Sequence, residues 1–392
     1  MPLQTELQRP ARGPLMVDIA GLQPTVAEWA MLRQPAVGGV ILFARNCVDA
    51  EQVRALCGEL HALRSPPLLI GIDQEGGRVQ RLRAGVTRFP PMATLGRLAD
   101  RDGLEKAQTA ARDWGLLLGA ELRALGLDID FTPCVDLDRG VSAVIGDRAI
   151  HRDPEWVGVI AVAFWEGMAR TGLQGVAKHF PGHGAVAADS HLDLPLDERP
   201  LSAIQEDLQP FAALIAAGIP AIMPAHCLYP QVDTEHPAGF SSRWLREILR
   251  KDMCFTGVVV SDDLSMAGAQ GVGDMAARVD AALAAGADLL LICNDPEGAK
   301  TAISHLQTKE ALPTGDRLQK LAGNAATLPL SPADRARCLH QIEQLRALAP
   351  GFAGLCTGQK VNPLFFPRRV LEYALTFYSL FGRWAPGLRS EP

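Results

Sequence analysis

The chain has no membrane-length apolar run: no uninterrupted hydrophobic stretch in its 392 residues reaches the roughly 18 that a spanning helix needs. It also has no disulfide framework. Its eight cysteines are scattered from Cys47 to Cys356 without a Cys-x-x-Cys pair, a distribution that suits buried thiols in a reducing compartment. A basic field is missing too: 38 Lys and Arg against 44 Asp and Glu give a net charge of −6, so a nucleic-acid partner is not expected. The segment Met1 to Arg12 is polar, has no apolar core and does not read as a secretory signal. A cytoplasmic location is the expectation. Tyrosine is scarce, and two of the three tyrosines fall in the tail after Pro350. What remains, 48% hydrophobic and 21% charged, is the composition of an ordinary globular enzyme.

Short apolar runs alternate with longer amphipathic stretches. The candidate strands are Leu15–Ala20, Gly39–Phe43, Leu68–Ile72, Leu127–Phe131, Gly175–Ala177, Ala221–Met223, Gly257–Val260 and Asp288–Ile292. Between them lie helical patterns at Glu51–Leu63, Leu104–Leu125, Pro154–Arg170, Leu201–Ala217, Arg243–Arg250, Asp274–Ala285 and Pro296–His305. In the first of these, Val53, Leu56, Leu60 and Leu63 fall on one helix face. Strands that are apolar throughout and separated by helices predict a parallel sheet. Polar or titratable residues follow every strand: Asp18, Arg45 and Asn46, Asp73 and Glu75, Asp136, Lys178 and His179, His226, Asp262 and Asp263, and Asn294. A closed α/β barrel of (β/α)8, TIM type brings all such ends to one mouth, whereas an open sheet spreads them along a crevice. The expected organisation is one barrel domain over residues 1–348, closed by helices at Leu318–Leu328 and Ala333–Leu348. A short helical, aromatic extension follows over 349–392. Within it, Val370–Trp384 is too short to span a bilayer; it reads as packing against the barrel, or as surface membrane contact near Arg368 and Arg369.

The densest chemistry lies in Lys178-His179-Phe180-Pro181-Gly182-His183-Gly184, followed by Asp189-Ser190-His191. Titratable groups among glycines and prolines after a buried strand point to a catalytic loop. Metal ligation and plain hydrogen-bonded loop histidines are the alternatives, though zinc sites favour tighter pairs such as His-x3-His. The third strand leads into Gly71-Ile72-Asp73-Gln74-Glu75-Gly76-Gly77-Arg78. Its glycine spacing does not fit a dinucleotide fingerprint. Arg81, just beyond, reads equally as a solvated loop arginine. The long loop after the fourth strand, with Val144-Ile145-Gly146-Asp147-Arg148, reads as a binding wall. After the seventh strand comes Ser261-Asp262-Asp263-Leu264-Ser265-Met266. Alternation sends only one of the two aspartates toward the mouth, and spacing leaves open which; the other suits a helix N-cap.

These signatures together closely resemble the family 3 glycoside hydrolases, and within them the single-domain bacterial β-N-acetylglucosaminidases of peptidoglycan recycling. The resemblance covers roughly Leu15 to Ile303. It implies Asp262 as the catalytic nucleophile, His191 as the acid/base, and Asp189 as the residue that orients His191. It further implies Asp73, Arg81, Arg148, Lys178 and His179 as sugar-binding positions. The implied activity is retaining, exo-acting hydrolysis of terminal N-acetylglucosamine from anhydro-N-acetylmuramic acid conjugates, with or without peptide. No metal or organic cofactor is implied. The expected protein is a monomer whose partner is this small sugar substrate, without stable membrane insertion. A glycoside phosphorylase of the same family, with phosphate in place of water, is the alternative activity. Asp73 and Glu75 are the runner-up acid/base pair.

Overall fold

The structure, a computed structural model, describes residues 12–187, 194–309, 316–323 and 329–349. Eight strands carry the fold: β1 Leu15–Val17, β2 Val37–Leu42, β3 Leu69–Ile72, β4 Ile129–Asp130, β5 Gln174–Phe180, β6 Ala221–Pro224, β7 Val258–Val259 and β8 Leu290–Ile292. All adjacent pairs are parallel, in the order β8-β1-β2-β3-β4-β5-β6-β7. A parallel bridge between Val260 and Leu289 joins the two ends of that series and completes the ring. This is the (β/α)8 barrel that the alternation predicts, with each predicted strand present.

Two apolar layers hold it. Side chains from alternate strand positions, among them Met16, Ile41, Leu69, Phe131, Val176 and Val258, fill the ring interior. Their neighbours along each strand point outward and meet the helices. At the N-terminal ends of the strands, a 3-10 turn at Asp316–Leu321 inserts Leu318 and Leu321 into the interior cluster. Arg317 pairs with Asp288 at 3.1 Å and Lys320 donates to the carbonyl of Thr256, so the turn closes the barrel floor. The mouth at the other end stays open.

Helices occupy Ala50–Ala62, Leu104–Ala124, Pro154–Ala169, Leu201–Ala216, Met275–Ala285, Pro296–Gln307 and Pro332–Arg346, close to their predicted spans. Arg243–Asp252 is also helical, but wound as a π-helix. Elements beyond the sequence reading include the helices Val26–Leu32 and Ala93–Asp102, the short helix Ala267–Gln270, and the hairpin formed by Gln74–Gly76 and Val79–Gln80. In Val26–Leu32 only Leu32 is buried, so no apolar stripe marks it; a capping box between Thr25 and Glu28 starts it instead. Of the predicted closing helix Leu318–Leu328, the described part is the 3-10 turn, and the tail beyond Ala349 lies outside the described residues.

The most consequential difference concerns β5. The sequence places Lys178 and His179 just past this strand, yet the strand runs on to Phe180. The segment after β4 continues the ladder: Val176 and Lys178 donate to the carbonyls of Thr132 and Pro133, and Val135 donates back to the carbonyl of Lys178. Lys178 is therefore held by sheet hydrogen bonds rather than by a loop, and His179 lies within the same strand with its N–H on the Asp136 carboxylate.

Because the ring closes and the floor is sealed by residues up to Leu321, deletion of residues 351–392 is expected to leave the barrel folded and turnover of an aryl glycoside largely intact. Circular dichroism and steady-state rates on the truncated protein test this. Loss of the helical signal would mean that the tail completes the core.

Candidate active site

The wall of the mouth is built around charges that the sequence order keeps far apart. Asp73 leaves the end of β3, and Glu75 follows in the hairpin. That hairpin is fixed by Gln74, whose side chain donates to the carbonyl of Leu82 and accepts from its N–H. Gly76 has φ +104°, and a Cβ there would lie 2.4 Å from the carbonyl oxygen of Pro90, so only glycine allows the turn. Arg148 lies in the 3-10 turn Gly146–Arg148. Arg78 steadies that loop by donating to the carbonyls of Ala143, Val144 and Ile145.

Lys178 brings these pieces together. Its Nζ lies 2.8 Å from Asp73 Oδ1 and 2.6 Å from Glu75 Oε1. Arg148 grips Glu75 with two bonds, Nε to Oε2 at 2.9 Å and Nη2 to Oε1 at 2.8 Å. Arg81 reaches Asp73 Oδ2 at 3.3 Å. Glu75 is only 1% exposed, and burial alone pushes its carboxyl up; Arg148 and Lys178 outweigh that and hold it well below the usual carboxylate range. Burial likewise raises Asp73, and Lys178 and Arg81 reverse it. Lys178 mirrors this behaviour: burial disfavours its ammonium, but the two carboxylates push its pKa up. Asp73 and Glu75 are thus locked as anions, which removes them as the runner-up acid/base pair.

His179 is oriented from behind. Its Nδ1 lies 2.7 Å from Asp136 Oδ2, and Asp136 Oδ1 accepts from the backbone N–H groups of His179 and His183. Burial pushes Asp136 up, yet His179 and these bonds keep it far below the ordinary range. Cys134 adds its thiol at 3.2 Å from Asp136 Oδ2. Among the described residues, Cys134, Asp136 and His179 bring three metal-type donors within 4.8 Å. Each is already committed: Asp136 accepts four hydrogen bonds, from the thiol, the imidazole and two backbone N–H groups. The cluster is a hydrogen-bonded orienting set.

Asp262 and Asp263 follow β7, two strands along the ring from β5. Asp262 accepts the backbone N–H of Asp263 at 2.8 Å. Asp263 turns aside, accepting from the N–H groups of Ser265 and Cys293. Both border a cavity of about 450 Å³, together with Asp73, Arg81, Arg148, Lys178 and His179. Arg81 is no solvated loop residue: its guanidinium pairs with Asp73 and lies 5.6 Å from the centre of the Phe43 ring. Six of the eight site residues named from sequence therefore meet at one cavity. The other two, Asp189 and His191, lie outside the described residues.

Sequence reasoning noted Asp136 without a role, held Glu75 only as a member of the runner-up acid/base pair, and gave no part to His183 or Phe43. The i, i+2 spacing of Asp73 and Glu75 was a usable signal. The pairing of Asp136 with His179, 43 residues apart, was not.

The family described as "Glycosyl hydrolase family 3 N terminal domain" matches residues 12–320. The chain is 52% identical over 315 residues to a beta-hexosaminidase of Chromobacterium violaceum, covering 80% of this chain and 88% of that one. It is 46% identical over 359 residues to a beta-hexosaminidase of Neisseria meningitidis, covering 90% and 98%. Its fold is similar to the crystal structure of native NagZ from Neisseria gonorrhoeae, with a TM-score of 0.78, 43% identity, and coverage of 86% and 98%.

The ion cluster generates a stability prediction. Glu75→Gln leaves Arg148 and Lys178 one carboxylate short, and is expected to cost about 3–5 kcal/mol at neutral pH. The folded-state pKa of Glu75 is depressed, so its contribution is full above the unfolded carboxyl pKa and is lost as pH falls through the folded value, below the usual carboxylate range. Urea unfolding should show the wild-type advantage persisting at mildly acidic pH and closing only in strong acid. An advantage already gone near the ordinary pKa of Glu would show that Glu75 is not an ionised anchor.

Proposed function

The chain belongs to glycosyl hydrolase family 3, and on that premise we propose that it is a retaining, exo-acting β-N-acetylglucosaminidase. Its proposed substrates are anhydro-muropeptides of cell-wall recycling in the cytoplasm, with N-acetylglucosamine linked to anhydro-N-acetylmuramic acid. Asp262 serves as nucleophile, His191 as acid/base, and Asp189 orients His191. The observation that carries the reading is that Asp262 lines one cavity together with the charge-locked wall of Asp73, Arg81, Arg148, Lys178 and His179.

The chemistry follows from these groups. A terminal sugar enters the pocket with its hydroxyls toward the wall, where carboxylates accept and cations donate. Asp73 has both oxygens engaged by cations, so it stays ionised while it accepts a sugar hydroxyl. Asp262 then attacks the anomeric carbon as His191 protonates the departing oxygen, and a glycosyl-enzyme forms. Water, deprotonated by the same histidine, releases the sugar with its configuration retained. Histidine suits both halves because its unperturbed pKa lies near 6.5. Support for the substrate class comes from the beta-hexosaminidases and from NagZ, to which the chain is similar.

A slow fluorinated N-acetylglucosamine donor should label Asp262, as read by peptide mapping. A label elsewhere, or an inverted product, would overturn the assignment. His191→Ala is expected to spare the first step on a nitrophenyl glycoside, because nitrophenolate departs with little protonation, and to stall deglycosylation. A burst of phenol before a slow steady state is the signature, with far heavier loss on an anhydro-muropeptide. Equal loss on both substrates would assign His191 to sugar binding.

A further inference from the structure

Asp262 is followed by a peptide unit that is gripped from three sides, by groups with no part in the chemistry above. We propose that His226 and Asp263 are positioning residues for Asp262, and that in mildly acidic solution Asp263 does this as a neutral carboxylic acid. The proposal rests on Asp262 being the nucleophile.

The grip begins in the backbone. The N–H of Asp263 donates to Asp262 Oδ1 at 2.8 Å, which fixes one oxygen of the carboxylate and with it the side-chain rotamer. The carbonyl of the same residue lies 3.1 Å from His226 Nε2. A carbonyl only accepts, so Nε2 carries the proton. His226 is fully buried and stacks on Phe240, with centroids 5.1 Å apart and planes 11° from parallel. Gly239 approaches so closely that a Cβ there would lie 3.0 Å from Nδ1. Among the described residues Nδ1 itself has no hydrogen-bond partner. A second proton there would be a buried, unpaired N–H, so the ring is neutral, and burial lowers its pKa accordingly.

The carboxyl group of Asp263 supplies the third contact. One oxygen accepts from Ser265 N–H at 2.9 Å and Cys293 N–H at 3.0 Å. The other lies 2.7 Å from Ser265 Oγ, which itself lies 2.8 Å from the carbonyl oxygen of Cys293. A serine hydroxyl has one hydrogen and cannot donate to both. With a proton on Asp263 Oδ2 both contacts are satisfied: Asp263 donates to Ser265, and Ser265 donates to Cys293. Burial pushes this carboxyl up to about 6, and the charge of Asp262 adds to the rise, so the acid form prevails in mildly acidic solution and becomes the minor form at neutral pH. The groups facing the pair are His226 from β6, Cys293 from the end of β8, and Arg278 from the helix Met275–Ala285, which donates to the carbonyl of Leu264 at 2.9 Å. A neutral Asp263 leaves Asp262 as the ionised member of two adjacent carboxyls, the state a nucleophile needs.

Four variants of the full chain and one spectroscopic reading test this. Asp263→Ala and His226→Ala are expected to lower kcat on an aryl N-acetylglucosaminide by about 10–100-fold, with KM moved far less, as displacement of a reacting group predicts. Asp263→Asn should recover most of that loss, since its amide donates to Ser265 as the acid proton does. His226→Gln should recover part, because its Nε2 can reach the same carbonyl. Infrared difference spectra between wild type and Asp263→Asn should contain a protonated carboxylic-acid band that titrates near 6. Asn as impaired as Ala, or a carboxyl titrating at the ordinary value near 4, overturns the neutral acid. A rise in KM at constant kcat for His226→Ala overturns the positioning role. If an alanine variant fails to fold by circular dichroism, the Asn and Gln variants and the infrared titration still decide. Failure of Asp262 to take the covalent label sinks the nucleophile reading instead, and the infrared titration is independent of that outcome.

Discussion

Lys178 is a cation that the barrel interior could not hold alone. Its side chain is 4% exposed, and an isolated ammonium at that depth would lose its proton rather than its hydration. Asp73 and Glu75 keep it charged, Arg148 and Arg81 keep those carboxylates charged in turn, and the arrangement stands only while every member is present. Because the members come from β3, its hairpin, the loop after β4 and β5, the cluster locks three consecutive barrel units in register at the mouth. Buried ion pairs of this kind add little net stability, since attraction is largely consumed in offsetting desolvation. What the cluster supplies is geometry: donors and acceptors that need no rearrangement when a ligand arrives.

The same side-chain type behaves in two ways a few ångströms apart. Glu75, Asp73 and Asp136 are buried and remain strongly acidic, because each faces a cation, an imidazole or several N–H donors. Asp263 is also buried, but its hydrogen bonds come from neutral groups and its nearest charge is another carboxylate, so its pKa rises. Asp130 follows the same logic: burial raises it well above its ordinary value, and among the described residues only one of its oxygens has a partner, the N–H of Gln74. Depth alone predicts none of this; the sign of the nearest charge decides it.

The barrel was legible because its strands are apolar throughout and its helices carry apolar stripes, two periods that survive any tertiary detail. Sequence failed where structure is set by contacts between distant segments. Val26–Leu32 buries one residue and gives no stripe, and the π-winding of Arg243–Asp252 has no sequence period of its own. The extension of β5 through Lys178 depends on backbone bonds to Thr132, Pro133 and Val135, more than 40 residues earlier. The site was partly legible for a different reason. Polar residues just past strand ends converge in any (β/α)8 barrel, so Asp73, Lys178 and Asp262 could be grouped before their partners were known. Which of Asp262 and Asp263 faces the cavity was not readable from alternation. Both border it, and hydrogen bonds to Ser265 and Cys293 turn Asp263 aside.

The charge count of the wall bears on what it can hold. Within the ion cluster itself two carboxylates, Asp73 and Glu75, stand against three cations, Lys178, Arg148 and Arg81, an excess of one positive charge that the buried carboxylate of Asp136, beside His179, offsets on the same side. Asp262, after β7, adds a carboxylate to the lining of the same cavity. A cavity balanced in this way gives a strongly anionic ligand no large field, yet it offers fixed donors and acceptors to a neutral, hydroxyl-rich one. It also has a direction. An oxocarbenium-like transition state gathers positive charge at the anomeric carbon. That charge is disfavoured near Lys178 and Arg148 and favoured near Asp262. On the proposed reading, a sugar would bind with its hydroxyl-bearing edge on the cationic wall and its reacting carbon toward Asp262, so that the field orienting the ground state would also stabilise the transition state.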